Sequence, residues 1–167
     1  AARLGKNALN YAVEVKGLEV PMHDPRAAHG LGIAYAMSNR GACHLQHMTF
    51  YVGQNWVTYP EIGLTGGYDG KTSEGKAEMN LICENMGMLL NAMILCHFVM
   101  LSLSIGDLVE VLRSITGFDY DLKEMMECGE RIWLLKRGLN NLMGIKATDD
   151  RLPQRILNPT KEGAAAG

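Results

Sequence analysis

Apolar residues recur at helical spacing through most of this chain, and the breaks between the runs fall at Gly and Pro. The first stretch, Ala8 to Val20, alternates weakly through Tyr11, Val13, Val15, Leu18 and Val20. It breaks at Lys16-Gly17 and reads as extended chain or loop. At His23-Asp24-Pro25 the signal sharpens. Asp24 can cap a helix with its carboxylate, while Pro25 takes the first helical position, where no N–H is needed. The pattern then predicts a helix to about Asn39, with Leu31, Ala34, Tyr35 and Ser38 on one face and Arg40-Gly41 as its stop. Residues 53–72 carry six Gly or Pro and little periodicity, the composition of a long loop, and loops of that length within a compact domain are usually either functional or disordered.

A long helical pattern follows from Ser73 to Leu101, with Met79, Ile82, Cys83, Met86, Leu90, Met93, His97 and Met100 at spacings of three and four. Between Glu84 and Asp107 stand 22 residues without formal charge, long enough to cross a bilayer. Asn85, Gly87, Asn91, His97, Ser102 and Ser104 interrupt that run and no basic anchors flank it, so a helix buried on nearly all sides is expected. Ser104 with Asp107 predicts a capping box for a further helix that Gly117 ends. Asp121 with Glu124 opens another, which Gly138 should close. From Gly144 through Asp149-Asp150, Pro153 and Pro159 to Gly163–Gly167 the chain should wrap the surface irregularly. With no repeat and no β/α alternation, the fold class is mainly α: an irregular helical bundle with a long Gly-rich loop and an extended C-terminal tail.

Composition narrows the function. The length, 167 residues, suits one domain, and 16 basic against 18 acidic residues leave a net charge of −2 with no Lys/Arg run. That balance argues against nucleic acid or an anionic membrane as partner. Eleven Met and 19 Gly against three Phe suit irregular helix packing, or packing against something outside the chain. Four cysteines (Cys43, Cys83, Cys96, Cys128) form no CxxC pair, so neither a self-contained zinc site nor a complete iron–sulfur run is present. No signal-peptide pattern precedes them, and reduced thiols in a cytoplasmic protein are expected. The chain opens on Ala1 in mid-pattern, as a fragment does.

Read residue by residue, the chemistry is sparse. Cys43-His44 with His47 gathers a thiol and two imidazoles, yet no nearby carboxylate completes a metal site, and the bland reading of His44 is a surface or interface polar residue. Cys96, among Leu95, His97 and Phe98, reads as a core thiol. Asn91 reads as an interhelix hydrogen-bonding residue, Glu84-Asn85 as solvated or capping. Trp133, Met125, Met126, Leu134 and Leu135 read as helix-packing residues.

Several strings together are far more specific. Val15-Lys-Gly-Leu-Glu-Val-Pro21, then Asp24-Pro25-Arg26, then Gly30 through Arg40-Gly-Ala-Cys-His44, resemble the aldehyde:ferredoxin oxidoreductase family of tungsten enzymes. The likeness returns at Gly129-Glu-Arg-Ile-Trp133 and at Asp149-Asp150 with Leu152-Pro153. It implies a single C-terminal helical domain, residues 1–167, of a larger enzyme. The family's N-terminal β-rich, pterin-binding domain and its closely spaced cysteine trio have no counterpart in this sequence. The family reaction is oxidation of an aldehyde to an acid at a tungsten (or molybdenum) bis-pterin, the molybdopterin type of cofactor, with electron transfer through a 4Fe–4S cluster to ferredoxin.

The resemblance also assigns roles. The family's Asp-x-x-Gly-Leu-Cys motif matches Asn91-Ala-Met-Ile94-Leu95-Cys96, so Asn91, Leu95 and Cys96 map to cofactor contacts and Cys96 to the fourth iron ligand. His44 maps to a histidine proposed as proton carrier, a task suited to an imidazole. Three departures stand out: Asn91 replaces an acceptor Asp, Ile94 replaces Gly, and Leu142 stands where Arg is frequent. The expected partners are the missing N-terminal domains, a ferredoxin-like acceptor and a small aldehyde. Alone, the chain is expected to hold no cofactor and to be catalytically silent. The alternatives are a class II benzoyl-CoA reductase-like member acting on a CoA thioester, and a degenerate non-catalytic interaction domain.

Overall fold

A computed structural model describes residues 1–163, 165 and 166; of the terminal Gly163–Gly167 stretch, Ala164 and Gly167 lie outside the described residues. Seven α-helices are present among the described residues: α1 Lys6–Leu9, α2 His29–Met37, α3 Thr49–Gly53, α4 Lys76–Ala92, α5 Ile105–Thr116, α6 Leu122–Leu142 and α7 Gln154–Leu157. With them comes one hairpin, β1 Glu14–Val15 and β2 Leu18–Glu19. Lys16 (φ 53°) and Gly17 (φ 82°) make its two-residue turn, which pairs Val15 with Leu18. The mainly α bundle and the long Gly-rich loop are as expected, and no described helix is long and apolar enough to cross a membrane.

Local signals hold where they are self-contained. Ser104 and Asp107 exchange side-chain-to-backbone bonds across the start of α5, and Asp121 and Glu124 do the same for α6. Gly117 closes α5 in the left-handed conformation. Asp24 accepts from the Arg26 N–H at 3.0 Å, but what it caps is a short 3-10 turn, Pro25–Ala27. The expected continuous helix to Asn39 is interrupted at Ala28 (φ −149°) and resumes as α2. The cause is tertiary: the Gly-rich loop docks here, His29 N–H donating to Gly70 O at 2.8 Å.

Three further expectations are corrected. The helix predicted to Leu101 ends at Ala92. The Leu95 N–H returns to Leu90 O (2.9 Å), Ile94 stands at φ 58°, and a 3-10 turn, His97–Leu101, follows. This is a Schellman-type end with Ile where Gly is usual. Gly138 does not close α6, because it keeps the helical conformation; the left-handed stop is Gly144 (φ 95°), with Ile145 N–H donating to Asn140 O at 3.0 Å. The tail is not wholly irregular, since it carries a 3-10 turn at Ala147–Asp149 and α7.

The main core gathers Met48, Tyr51, Tyr59, Leu64, Met79, Met86, Leu90, Met100, Ile105, Leu108 and Met125; a smaller one surrounds Leu31, Ala34 and Tyr35. Thioethers fill the space between helices that cross irregularly. α4 and α6 pack closely where Gly129 faces Asn85, since a Cβ at Gly129 would stand 2.2 Å from the Asn85 carbonyl oxygen. Leu134 and Leu135, expected to pack, are exposed on α6 together with Leu139, Leu142 and Met143.

Candidate functional site

The site forms where the segment after α2 lies on the C-terminal half of α4. Gly87 makes this approach possible: a Cβ there would stand 2.3 Å from Gln46 O and 2.5 Å from His47 Cα. Ser38 Oγ donates to Gln46 Oε1 (2.7 Å), closing the loop that carries Arg40-Gly-Ala-Cys-His44. Asn91 Nδ2 then donates to Gln46 O (3.2 Å) and Gly87 O (2.6 Å), so the loop and the Asn91–Cys96 turn are joined. Asn91 does bridge two segments, as expected, but from an exposed position and to a loop rather than to another helix.

Cys96 is exposed on this turn, contrary to its reading as a core thiol, whereas Cys43 and Cys83 are buried and Cys128 is half-buried. The helix ends before it reaches Cys96, which is why a helical periodicity misplaces it. Leu95 is half-buried against the main core and Ile94 is 91% exposed. Around the turn lies a chain of rings. His44 meets His23 (4.8 Å between centroids), His23 meets Phe50 (4.2 Å), Phe50 meets Tyr51 (5.6 Å), and Tyr51 meets Phe98 (6.1 Å). Trp56 adds an edge to Phe50 at 5.3 Å. In a chain with three Phe and two Trp, this places most of them beside one site.

Three imidazoles here, those of His44, His47 and His97, are shifted toward the neutral form. His44 is half-buried, and burial with His23 nearby lowers its pKa. His47 is fully buried with no well-aligned hydrogen bond to either ring nitrogen, and burial, opposed by the Cys43 backbone, pulls it down to about 3. His97, also buried and without partners, is lowered for the same reason. Burial raises the Tyr51 hydroxyl, with Cys96 contributing.

Behind the loop sits a buried ionic knot that no local signal marks. Lys16 Nζ, from the hairpin turn, contacts Asp150 Oδ1 (2.6 Å) and donates to the α2-terminal carbonyls of Ala36 (2.7 Å) and Ser38 (2.9 Å). Arg137 holds Asp150 through both carboxylate oxygens (2.9 and 2.5 Å). Burial would raise the Asp150 pKa, but the Arg137 and Lys16 bonds hold it below the ordinary value. Asn39 Nδ2 donates to Trp133 O (3.1 Å) and Asn140 Nδ2 to Asn39 O (2.7 Å), tying α6 to the same loop. Glu84, read as solvated or capping, is instead 2% exposed because α6 covers it at its close approach to α4. Burial pushes its carboxyl up to about 8.

No group of three or more His, Cys, Asp or Glu side chains converges as a metal site among the described residues. Cys96 fits a cluster that draws its other ligands from elsewhere: an accessible thiol on a turn whose neighbours Phe98, Val99 and Leu101 are exposed. Asn91 fits a ligand acceptor only through Oδ1, since its nitrogen is used internally. Sequence reading brings His44, Asn91, Leu95 and Cys96 to this site and misses His23, Gln46, Lys16 and Glu84. Of these, Lys16-Gly17 gave only a break in the strand pattern, His23 only a place beside the Asp24-Pro25 helix start and Glu84 only a solvated or capping reading, while Gln46 gave no signal.

The profile of aldehyde ferredoxin oxidoreductase, domains 2 and 3, matches residues 1–167. The tungsten-containing aldehyde ferredoxin oxidoreductase of Thermococcus kodakarensis is 34% identical over 164 residues, covering 94% of this chain and 25% of its own length. That of Pyrococcus furiosus is 34% identical over 163 residues (93% and 25%), and that of Pyrococcus horikoshii 33% over 168 (96% and 26%). The chain therefore spans about a quarter of the length of these curated relatives. With the profile matched from end to end and the resembling strings drawn together around one loop, this chain belongs to the aldehyde ferredoxin oxidoreductase family, in the part that forms its domains 2 and 3.

Proposed function

We propose that this chain is the helical C-terminal portion of a larger cytoplasmic oxidoreductase and covers a pterin-bound tungsten or molybdenum centre. The reaction is oxidation of a small aldehyde to its carboxylic acid, with electrons leaving through a 4Fe–4S cluster to a ferredoxin-like acceptor. When bound, the metal centre and cluster supply the redox chemistry. The chain's own residues bind, orient and exclude water. Cys96 offers one thiolate to iron, Asn91 Oδ1 accepts a hydrogen bond from the cofactor, and Leu95 packs the turn against the main core. His44, neutral at neutral pH, can take a proton on a ring nitrogen and pass it outward.

The observation that carries this reading is the exposure of Cys96. It is the one exposed thiol of four, and it stands on the turn that faces away from the core beside the His44 loop. Metal analysis and electron spin resonance of the full-length protein test it. Tungsten or molybdenum with a reducible cluster is expected, and Cys96→Ser should lower the iron content. Neither metal nor cluster, or unchanged iron in Cys96→Ser, refutes it. Turnover with aldehydes rather than aryl-CoA thioesters separates it from a thioester reductase.

One feature favours a second reading, a non-catalytic interaction module. The Asn91 nitrogen is committed to two backbone carbonyls, and Ile94 adds bulk where the family has Gly. Full-length protein that assembles normally but lacks both metal centres is the outcome that reading requires.

A further inference from the structure

An unbroken line of polar contacts runs from the hairpin turn to the turn that bears Cys96. Lys16 Nζ donates to Ser38 O, Ser38 Oγ donates to Gln46 Oε1, and Asn91 Nδ2 donates to Gln46 O. Ser38 is fully buried and Gln46 nearly so, hence each of their bonds forms in a low-dielectric setting where a lost partner is not replaced by water. The same Asn91 nitrogen donates to Gly87 O, one turn back on α4. Two carbonyl acceptors meet here, and only an amide or another donor satisfies both; a carboxylate offers them nothing. Gly87 brings the bare backbones together but fixes no register, because a glycine contact slides. The directed bonds to Gln46 set where along α4 the loop rests.

We infer that Gln46 and Asn91 are positioning residues: together they clamp the loop bearing His44 onto the turn bearing Cys96. Gln46 acts at both ends of the clamp, its side chain held by Ser38 and its carbonyl held by Asn91. Asn91 thereby has a structural use that the family's Asp does not share, and its inward nitrogen leaves Oδ1 as the outward acceptor. The functional meaning of the clamp rests on the roles proposed above for His44 and Cys96. Its existence as a mechanical coupling does not.

The test uses the full-length protein with Gln46→Met, Gln46→Glu, Asn91→Ala and the Gln46→Met/Asn91→Ala double variant. In metal-free protein, alkylation of Cys96 by iodoacetamide is followed by peptide mass spectrometry with Cys128 as internal reference. Each of Gln46→Met and Asn91→Ala is expected to change the Cys96 rate about fivefold, the factor carried by one net hydrogen bond. The double variant should match the singles rather than their product, because one clamp is broken once. Gln46→Glu keeps the acceptor for Ser38 and should return the rate most of the way to that of the parent. In metal-loaded protein the g values of the reduced iron–sulfur signal should shift in the same variants. Unchanged Cys96 rates in both singles, a multiplicative double variant, or Gln46→Glu as impaired as Gln46→Met overturns the clamp. Should Gln46→Met fail to fold, the exposed Asn91→Ala decides alone, against Asn91→Asp, which also lacks the donor and must behave alike. Protein without metal or cluster whose Cys96 rate still responds refutes the proposed function and upholds the clamp.

Discussion

Glu84→Gln should stabilise this protein by an amount that pH controls. Glu84 is 2% exposed, neither carboxylate oxygen has a hydrogen bond of good geometry, and burial lifts its pKa to about 8 against an ordinary 4.5. The nearby Trp133 indole, Lys16 and Lys136 oppose that rise without cancelling it. Between pH 4.5 and 8 the unfolded chain ionises Glu84 while the folded chain keeps it protonated, so the folded state binds the extra proton. The Glu84 contribution to stability therefore falls as pH rises, by about 1.4 kcal/mol per unit, and levels off above pH 8. At pH 7 the burden is about 3 kcal/mol, and it is absent below pH 4.5.

Glutamine has nearly the same shape and never ionises, so the variant removes the pH-dependent burden. Urea unfolding of parent and Glu84→Gln at pH 4.5, 7 and 8.5 reads the difference directly, because every other titrating group cancels between the two. The gap should be near zero at pH 4.5 and about 3 kcal/mol in favour of Gln at pH 7, a rise in Tm on the order of 10 °C. Equal stability at all three values, or a less stable Gln variant at pH 7, refutes a buried, protonated Glu84.

Two further substitutions probe the scaffold. Lys16→Met removes the cation that Asp150 and two α2-terminal carbonyls share, and should cost about 3–5 kcal/mol in urea unfolding at neutral pH; a loss under 1 kcal/mol contradicts the buried knot. Ile94→Gly relieves a β-branched residue at φ 58° that is 91% exposed and should raise stability by about 1 kcal/mol, read by thermal unfolding. A lower Tm shows that Ile94 packs against something.

What could be read from the sequence was whatever the chain decides within a turn of itself. The boxes at Ser104 and Asp121 and the stop at Gly117 are complete in four or five residues, and each forms where expected. The end of α4 was invisible because Ile94 carries no breaker signal and the Met-rich period continues across it. Gly138 misled for the opposite reason: a glycine within a helix is no stop unless it takes the left-handed conformation, and here that glycine is Gly144. Glu84 follows the polar rule for a helix until α6 covers it. His44 and Cys96 were singled out through the strings they belong to, whereas Gln46 and His23 act through partners far along the chain.

The strings that carry the family likeness do two kinds of work, and they should not be tested as one. Lys16 and Asp150 meet in a buried ion pair, and Trp133 gives its carbonyl to Asn39, so these residues hold the scaffold together. Cys96 and Asn91, by contrast, face outward, and His44 lies half-buried beside them. A chain can keep every scaffold residue, and with them its fold and family, while changing the few that face a cofactor. On the function proposed above, Asn91 and Ile94 are the positions that depart from the motif the resemblance implies, and Cys96 and His44 are those that match it. Membership in the family rests on the profile matched from end to end, while the proposed chemistry stands or falls on Cys96: a thiol left at the surface on a turn flanked by exposed Ile94, Phe98 and Leu101 makes physical sense when another part of the protein covers it.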